Sequence, residues 1–96
     1  MGGYFSAEET LRQLGGRRFI AMTGANRFVK GKNNISFKVP KAKNKIKYVK
    51  LKLNSMDTYD MEFFTRTVKP VKKIKGVYND QLQEIFTRET GLYTRF

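Results

Sequence analysis

Three consecutive segments of this chain alternate apolar and polar residues with a period of two, and this pattern constrains its fold more than any other feature. Ile35, Phe37 and Val39 alternate with Ser36 and Lys38. Between Ile46 and Leu53, the residues Val49, Leu51 and Leu53 alternate with Tyr48, Lys50 and Lys52. Tyr59, Met61 and Phe63 alternate with Asp60, Glu62 and Phe64. Successive side chains of a β-strand point to opposite faces, so each segment reads as a strand with one face buried and one wet. Such strands suit an antiparallel sheet covered on one side only.

Turn and cap signals supply the connections. Arg27 to Lys30 and Ile35 to Val39 read as a hairpin around Gly31-Lys32-Asn33-Asn34, and Pro40, which has no N–H to donate, ends the second arm. Asn54-Ser55 opens a turn with Asp57, and the following strand is expected to run to about Thr67. Lys69 to Lys75, broken by Pro70, reads as an edge strand whose lysines discourage pairing with other chains. Arg17 to Thr23, rich in Phe, Ile and Met, reads as a further strand before a turn at Gly24-Ala25-Asn26.

Helices are expected at both ends. Ser6 and Glu9 form a capping box ahead of Leu11 and Leu14, and Gly15-Gly16 stops that helix. Asn79 or Asp80 is the expected cap of the last helix, with Leu82, Ile85 and Phe86 as its apolar stripe and Gly91 as its end. The predicted fold is α+β: an antiparallel sheet of four or five strands, with a short N-terminal helix and a C-terminal helix packed on one face. At 96 residues, a single domain over 1–96 is expected. Its predicted core is Phe37, Val49, Leu51, Leu53, Met61, Phe63, Leu82, Ile85 and Phe86.

Charge points to the partner. Twenty Lys and Arg face eight Asp and Glu, a net charge of +12. Self-repulsion of that size opposes compaction, and an anionic partner is the simplest compensation, with nucleic acid the first candidate. A basic surface that serves solubility alone is the plain alternative. Hydrophobic residues at 40%, including eight Phe and five Tyr, argue for a packed core rather than disorder. No run approaches the roughly 18 apolar residues of a membrane span, and no basic stretch precedes an apolar one at the start, so neither a membrane nor a secretory leader is expected. The absence of cysteine excludes disulfides and fits a reducing cytosol.

The cations cluster. Lys38, Lys41, Lys43, Lys45, Lys47, Lys50 and Lys52 fall within fifteen residues. Lys69, Lys72, Lys73 and Lys75 form a second group, and Arg17, Arg18, Arg27, Lys30 and Lys32 a third. From these, the candidate binding residues are Lys43, Lys45, Lys47, Lys50, Lys52, Lys69, Lys72, Lys73, Lys75, Arg17 and Arg18, with Tyr48 beside Lys50 and Lys52 as a stacking platform for an unpaired base. The competing reading is a solvated lysine face with Tyr48 lying flat on it. Lysine acts on phosphate as a point charge, so its dominance favours backbone contact of low sequence specificity.

Other functions find less support. No RNP1-like run and no zinc-finger ligands are present, and the helices stand too far apart for a helix-turn-helix. Without His or Cys, the usual general base and the thiol nucleophile are missing, so no enzymatic activity is expected. Asp57, Asp60 and Glu62 form the closest acid group. Asp60 and Glu62 share a strand face and could hold Mg²⁺ for a nuclease, although such carboxylates more often pair with neighbouring lysines; no metal or cofactor is expected. Gly24 to Lys32 fails the phosphate-loop pattern, with the wrong glycine spacing and Asn33 where Ser or Thr belongs. Met1-Gly2-Gly3-Tyr4-Phe5-Ser6 fits a myristoylation pattern, but Ser6 already serves as a helix cap. Asn34-Ile35-Ser36 is a glycosylation sequon, relevant only on secretion.

A set of short motifs completes the reading. They are Leu14-Gly15-Gly16, the run from Phe19 to Ala25, Phe37-Lys38-Val39-Pro40, Tyr48-Val49-Lys50, the run from Tyr59 to Phe63, Gly76-Val77-Tyr78, Ile85-Phe86-Thr87 and Thr90-Gly91-Leu92-Tyr93-Thr94. Over about residues 14 to 95 the chain resembles a family of small uncharacterised proteins encoded by bacteriophages, prophages and other mobile elements. The resemblance implies a bacterial cytosol and assigns no functional residue. It also implies a second class of function: an anti-defence protein, of the anti-CRISPR kind, that inhibits a host protein or ribonucleoprotein by occupying an acidic surface or a guide RNA. The lysine clusters lie mostly outside the shared motifs. Oligomeric state is left open.

Overall fold

The structure is a computed structural model, and it describes residues 6–43, 45–66 and 69–92. Five strands follow two short helices: α1 (Ala7–Leu14), α2 (Gly16–Thr23), β1 (Asn26–Lys30), β2 (Asn34–Lys38), β3 (Tyr48–Leu53), β4 (Tyr59–Phe64) and β5 (Pro70–Val77). A 3₁₀ turn at Asn79–Gln81 then leads into α3 (Leu82–Thr90). The strands form one antiparallel sheet in chain order, β1-β2-β3-β4-β5, so β1 and β5 are its edges. The α+β architecture expected from the alternation is the one observed.

The alternating residues build the core as their parity requires. Ile35 and Phe37 on β2, Val49 and Leu51 on β3, and Tyr59, Met61 and Phe63 on β4 are all buried on one face. The helices cover that face. Phe19 of α2 and Phe86 of α3 meet edge-on, with ring centroids 5.2 Å apart, and both rings approach Phe37, at 5.4 and 6.3 Å. Each such aromatic contact adds about 0.5–1.5 kcal/mol beyond area burial. The hydroxyls of Thr10 on α1 and Tyr59 on β4 lie 2.9 Å apart, so this phenol is buried with a partner. Gln83 Nε2 donates to the Leu14 carbonyl at 2.9 Å and ties α3 to the end of α1.

Several local expectations are corrected. Arg17 to Thr23 is helical, not a strand. A short apolar run does not distinguish the two states, and here Phe19 and Thr23, four residues apart, are the buried stripe while Ile20 is exposed. Gly15 does end α1, at φ 126°, but Gly16 opens α2 rather than extending the stop. These two glycines let the chain turn a corner closed to other residues. Neither Asn79 nor Asp80 caps α3. The helix is entered through the 3₁₀ turn, where Gln81 Oε1 accepts from the Tyr78 N–H at 3.1 Å. The strand expected from Ile46 begins at Tyr48, and Leu53 sits half-buried at the core margin. Ser6 does cap α1, accepting from the Glu9 N–H at 3.2 Å, and Gly91 ends α3 in the left-handed region. The strand expected to run to about Thr67 ends at Phe64, where Thr65 and Arg66 bend the chain away from the sheet. Met1 to Phe5, Asn44, Thr67 and Tyr93-Thr94 lie outside the described residues, and with them the myristoylation pattern. No helix among the described residues is long and apolar enough to cross a membrane.

Candidate nucleic-acid interface

The other face of the sheet carries the polar half of each strand. Residues directly opposite in adjacent strands share a face, so the register sorts this open face into three cross-strand rows. At one end, Asn34 of β2 faces Lys52 of β3, which faces Asp60 of β4. In the middle run Val29, Ser36, Lys50, Glu62 and Lys73. At the far end run Asn26, Lys38, Tyr48, Phe64 and Pro70.

The first two rows hold carboxylates. Glu62 lies between Lys50 and Lys73 and meets Lys73 Nζ at 3.4 Å. Asp60 stands opposite Lys52, and its Oδ1 accepts from Asn54 Nδ2 at 3.0 Å and from the Gly76 N–H at 3.3 Å. Asp60 is therefore engaged in holding the β3–β4 turn, where Asn54 Oδ1 also accepts from the Met56 N–H at 2.8 Å. Among the described residues no three His, Cys, Asp or Glu side chains group as a metal site.

The third row holds no carboxylate. Tyr48 is 43% exposed and directly opposite Phe64, with Lys38 on its other side. The row continues into two adjoining open recesses. One, of about 520 Å³, is walled among the described residues by Lys45, Lys47, Thr65 and Arg66. The other, of about 340 Å³, is walled by Lys38, Pro40, Lys47, Tyr48 and Arg66. Lys47 and Arg66 belong to both. The backbone of Lys47 is pinned from two sides: its N–H donates to the Phe64 carbonyl at 2.7 Å, and its carbonyl accepts from the Val39 N–H at 2.8 Å. Lys45 turns the chain at φ 61°, a left-handed conformation uncommon outside glycine.

The structure thus divides the residues singled out from the sequence. It brings Lys45, Lys47 and Tyr48 together at the carboxylate-free end. Lys50, Lys52 and Lys73 lie on the same face but beside Glu62 and Asp60. Lys72 stands opposite Phe63, on the parity of the covered face, and reaches solvent at the edge. Lys69, just before β5, and Lys75, near its end, are exposed. Lys43 turns to the helical layer: its N–H donates to the Thr90 carbonyl at 2.7 Å, and its side chain lies against Gly91 where α3 ends. That is the negative end of the helix dipole. Arg17 and Arg18 are exposed on α2, within the layer that covers the opposite face.

Phe64 and Arg66 complete the site and were not among the sequence candidates. Phe64 carried a usable signal, because it is an apolar residue on the wet parity of β4. Arg66 carried none, since its place beside Lys47 follows from how the chain leaves β4. No family model, no curated protein and no solved structure matches this chain.

Proposed function

We propose that the protein binds nucleic acid, with low sequence specificity, through the open face of its sheet. One observation carries the reading: the row Lys38-Tyr48-Phe64 ends in recesses walled by Lys45, Lys47 and Arg66, and no carboxylate stands among them. Between Glu9 and Asp57 the sequence holds no carboxylate at all, and that span supplies every cation of this end except Arg66. Cations spread around an exposed aromatic suit a phosphate backbone, whose displaced counterions drive binding. The role is binding rather than catalysis: the acid group nearest this face is engaged by Asn54, Gly76 and Lys73.

Titration of labelled oligonucleotides across a salt series tests the proposal. Four phosphate contacts, from Lys38, Lys45, Lys47 and Arg66, give a slope of log affinity against log salt near −3 for single strands. Affinity weaker than about 100 μM near physiological salt, the weak end of non-specific binding, would rule nucleic acid out as the primary partner. A pull-down from bacterial lysate with and without nuclease then reads the other outcome. A stoichiometric protein retained after nuclease treatment would support the anti-defence inhibitor instead.

A further inference from the structure

We propose that the carboxylate-free end of the open face is a site for an unpaired strand, with a base on the ring of Tyr48 and the adjoining phosphates in the Lys45, Lys47 and Arg66 recess. This rests on the nucleic-acid reading above and specifies which form of nucleic acid the site takes.

Two physical arguments lead to it. The first is width. Five strands spaced about 4.8 Å apart make a face roughly 19 Å across. An undistorted major groove is about 12 Å wide and admits a helix or a two-stranded ribbon. The open face therefore cannot reach base edges in a duplex and is confined to its phosphates. The second is the aromatic pair. Tyr48 and Phe64 are directly opposite on neighbouring strands, with Tyr48 flanked by Lys38. Bases inside a duplex stack about 3.4 Å apart, so their π-faces are covered by their neighbours. Only an unstacked base offers a free face to a side chain lying on a sheet. A duplex can use the cations of this end, whereas a single strand can use the cations and the ring. The backbone bonds of Lys47 to Val39 and Phe64 place it, and with it the recess, beside Tyr48.

The test compares three probes of about 12 nucleotides, within the span of a small binding domain: a single strand, a blunt duplex and a strand of the same length lacking its bases. At equal salt the base-bearing strand is expected to bind about 5- to 150-fold more tightly than the baseless one, the range that one stacked base contributes. Tyr48→Leu removes that difference and leaves the salt slope unchanged, and Tyr48→Phe retains it. Lys47→Gln and Arg66→Gln each lower the slope by about 0.7, with and without bases alike. Equal binding of the base-bearing and baseless strands, or tighter binding of the duplex, overturns this inference and leaves nucleic-acid binding standing. If none of the probes binds, both readings fall. Because Tyr48 is an exposed sheet residue, a thermal melt of each variant separates lost binding from lost fold.

Discussion

The two ends of the sheet's open face draw on the same strands, yet they differ in what stands beside their lysines. Toward the β3–β4 turn, Lys52 faces Asp60, and Lys50 faces a Glu62 that also meets Lys73. Four residues away along β3, Tyr48 faces Phe64 and Lys38, and the cations around it have no carboxylate among them. Four residues of strand span about 13 Å, beyond the roughly 8 Å over which exposed charges act at physiological salt, so the Lys52–Asp60 row is screened from Tyr48, whereas the Lys50–Glu62 row, two residues or about 7 Å away, is not. The two ends therefore differ in which cations stand opposite a carboxylate, with Glu62 at the boundary between them. Counting lysines along a strand does not measure its attraction for an anion, because the neighbouring strand decides which of them stand opposite a carboxylate.

The largest expected effect sets the covered face against the open one. Phe86 is fully buried against Phe19 and Phe37. Phe86→Ala should cost about 3–5 kcal/mol in urea unfolding through lost transfer energy and the cavity left behind. Replacing exposed Tyr48 by Leu should change stability by no more than about 0.5 kcal/mol. A Phe86→Ala cost below about 1 kcal/mol would mean that α3 does not seal the sheet as described.

The next experiment sets the two ends against each other directly. Lys47→Gln with Arg66→Gln should lower the salt slope for single strands by about 1.4. Lys50→Gln with Lys52→Gln removes the same number of positive charges, but from the end where carboxylates stand opposite, and should lower it by less than half as much. Equal losses in the two double variants would show that the carboxylates of β4 do not discriminate between the ends, and the division of the face would fail.

This contrast also marks how much could be read from residues alone. The alternation of β2, β3 and β4 was legible because a buried face imposes a strict period, and the one-sided helical cover follows from it. α2 was not, because Arg17 to Thr23 is too short for its period to declare itself and its rotation depends on the left-handed corner at Gly15 and Gly16. In the site, Tyr48, Lys45 and Lys47 were legible as part of a basic run on a clear strand. The separation of Lys50 and Lys52 from them was not, because it depends on the register of β3 against β4. Lys43 looked equivalent to Lys45, yet the loop that carries both is fastened to the end of α3 through Thr90, so the two lysines serve different faces.

The smallest expected effect probes the carboxylate-bearing end by removing one of its charges. Glu62→Gln keeps the shape of the side chain and removes the charge that meets Lys73 and stands opposite Lys50. An ion pair with Lys73 about half exposed contributes at most about 1 kcal/mol, so the fold should survive almost unchanged. Binding should respond in the opposite direction from every other variant. With Lys73 unpaired and Lys50 no longer opposite a negative charge, the salt slope for single strands should steepen by up to about 1.4, and affinity at low salt should rise. The same variant addresses catalysis. If Glu62 held Mg²⁺ for a nuclease, the wild type would cleave in the presence of Mg²⁺, and Glu62→Gln would abolish cleavage while strengthening binding. A rise in affinity with no cleavage by either protein fits a carboxylate whose work is to neutralise one end of the face. If the slope does not change, the charge of Glu62 does not govern how Lys50 and Lys73 meet phosphate, and the difference between the two ends has another cause.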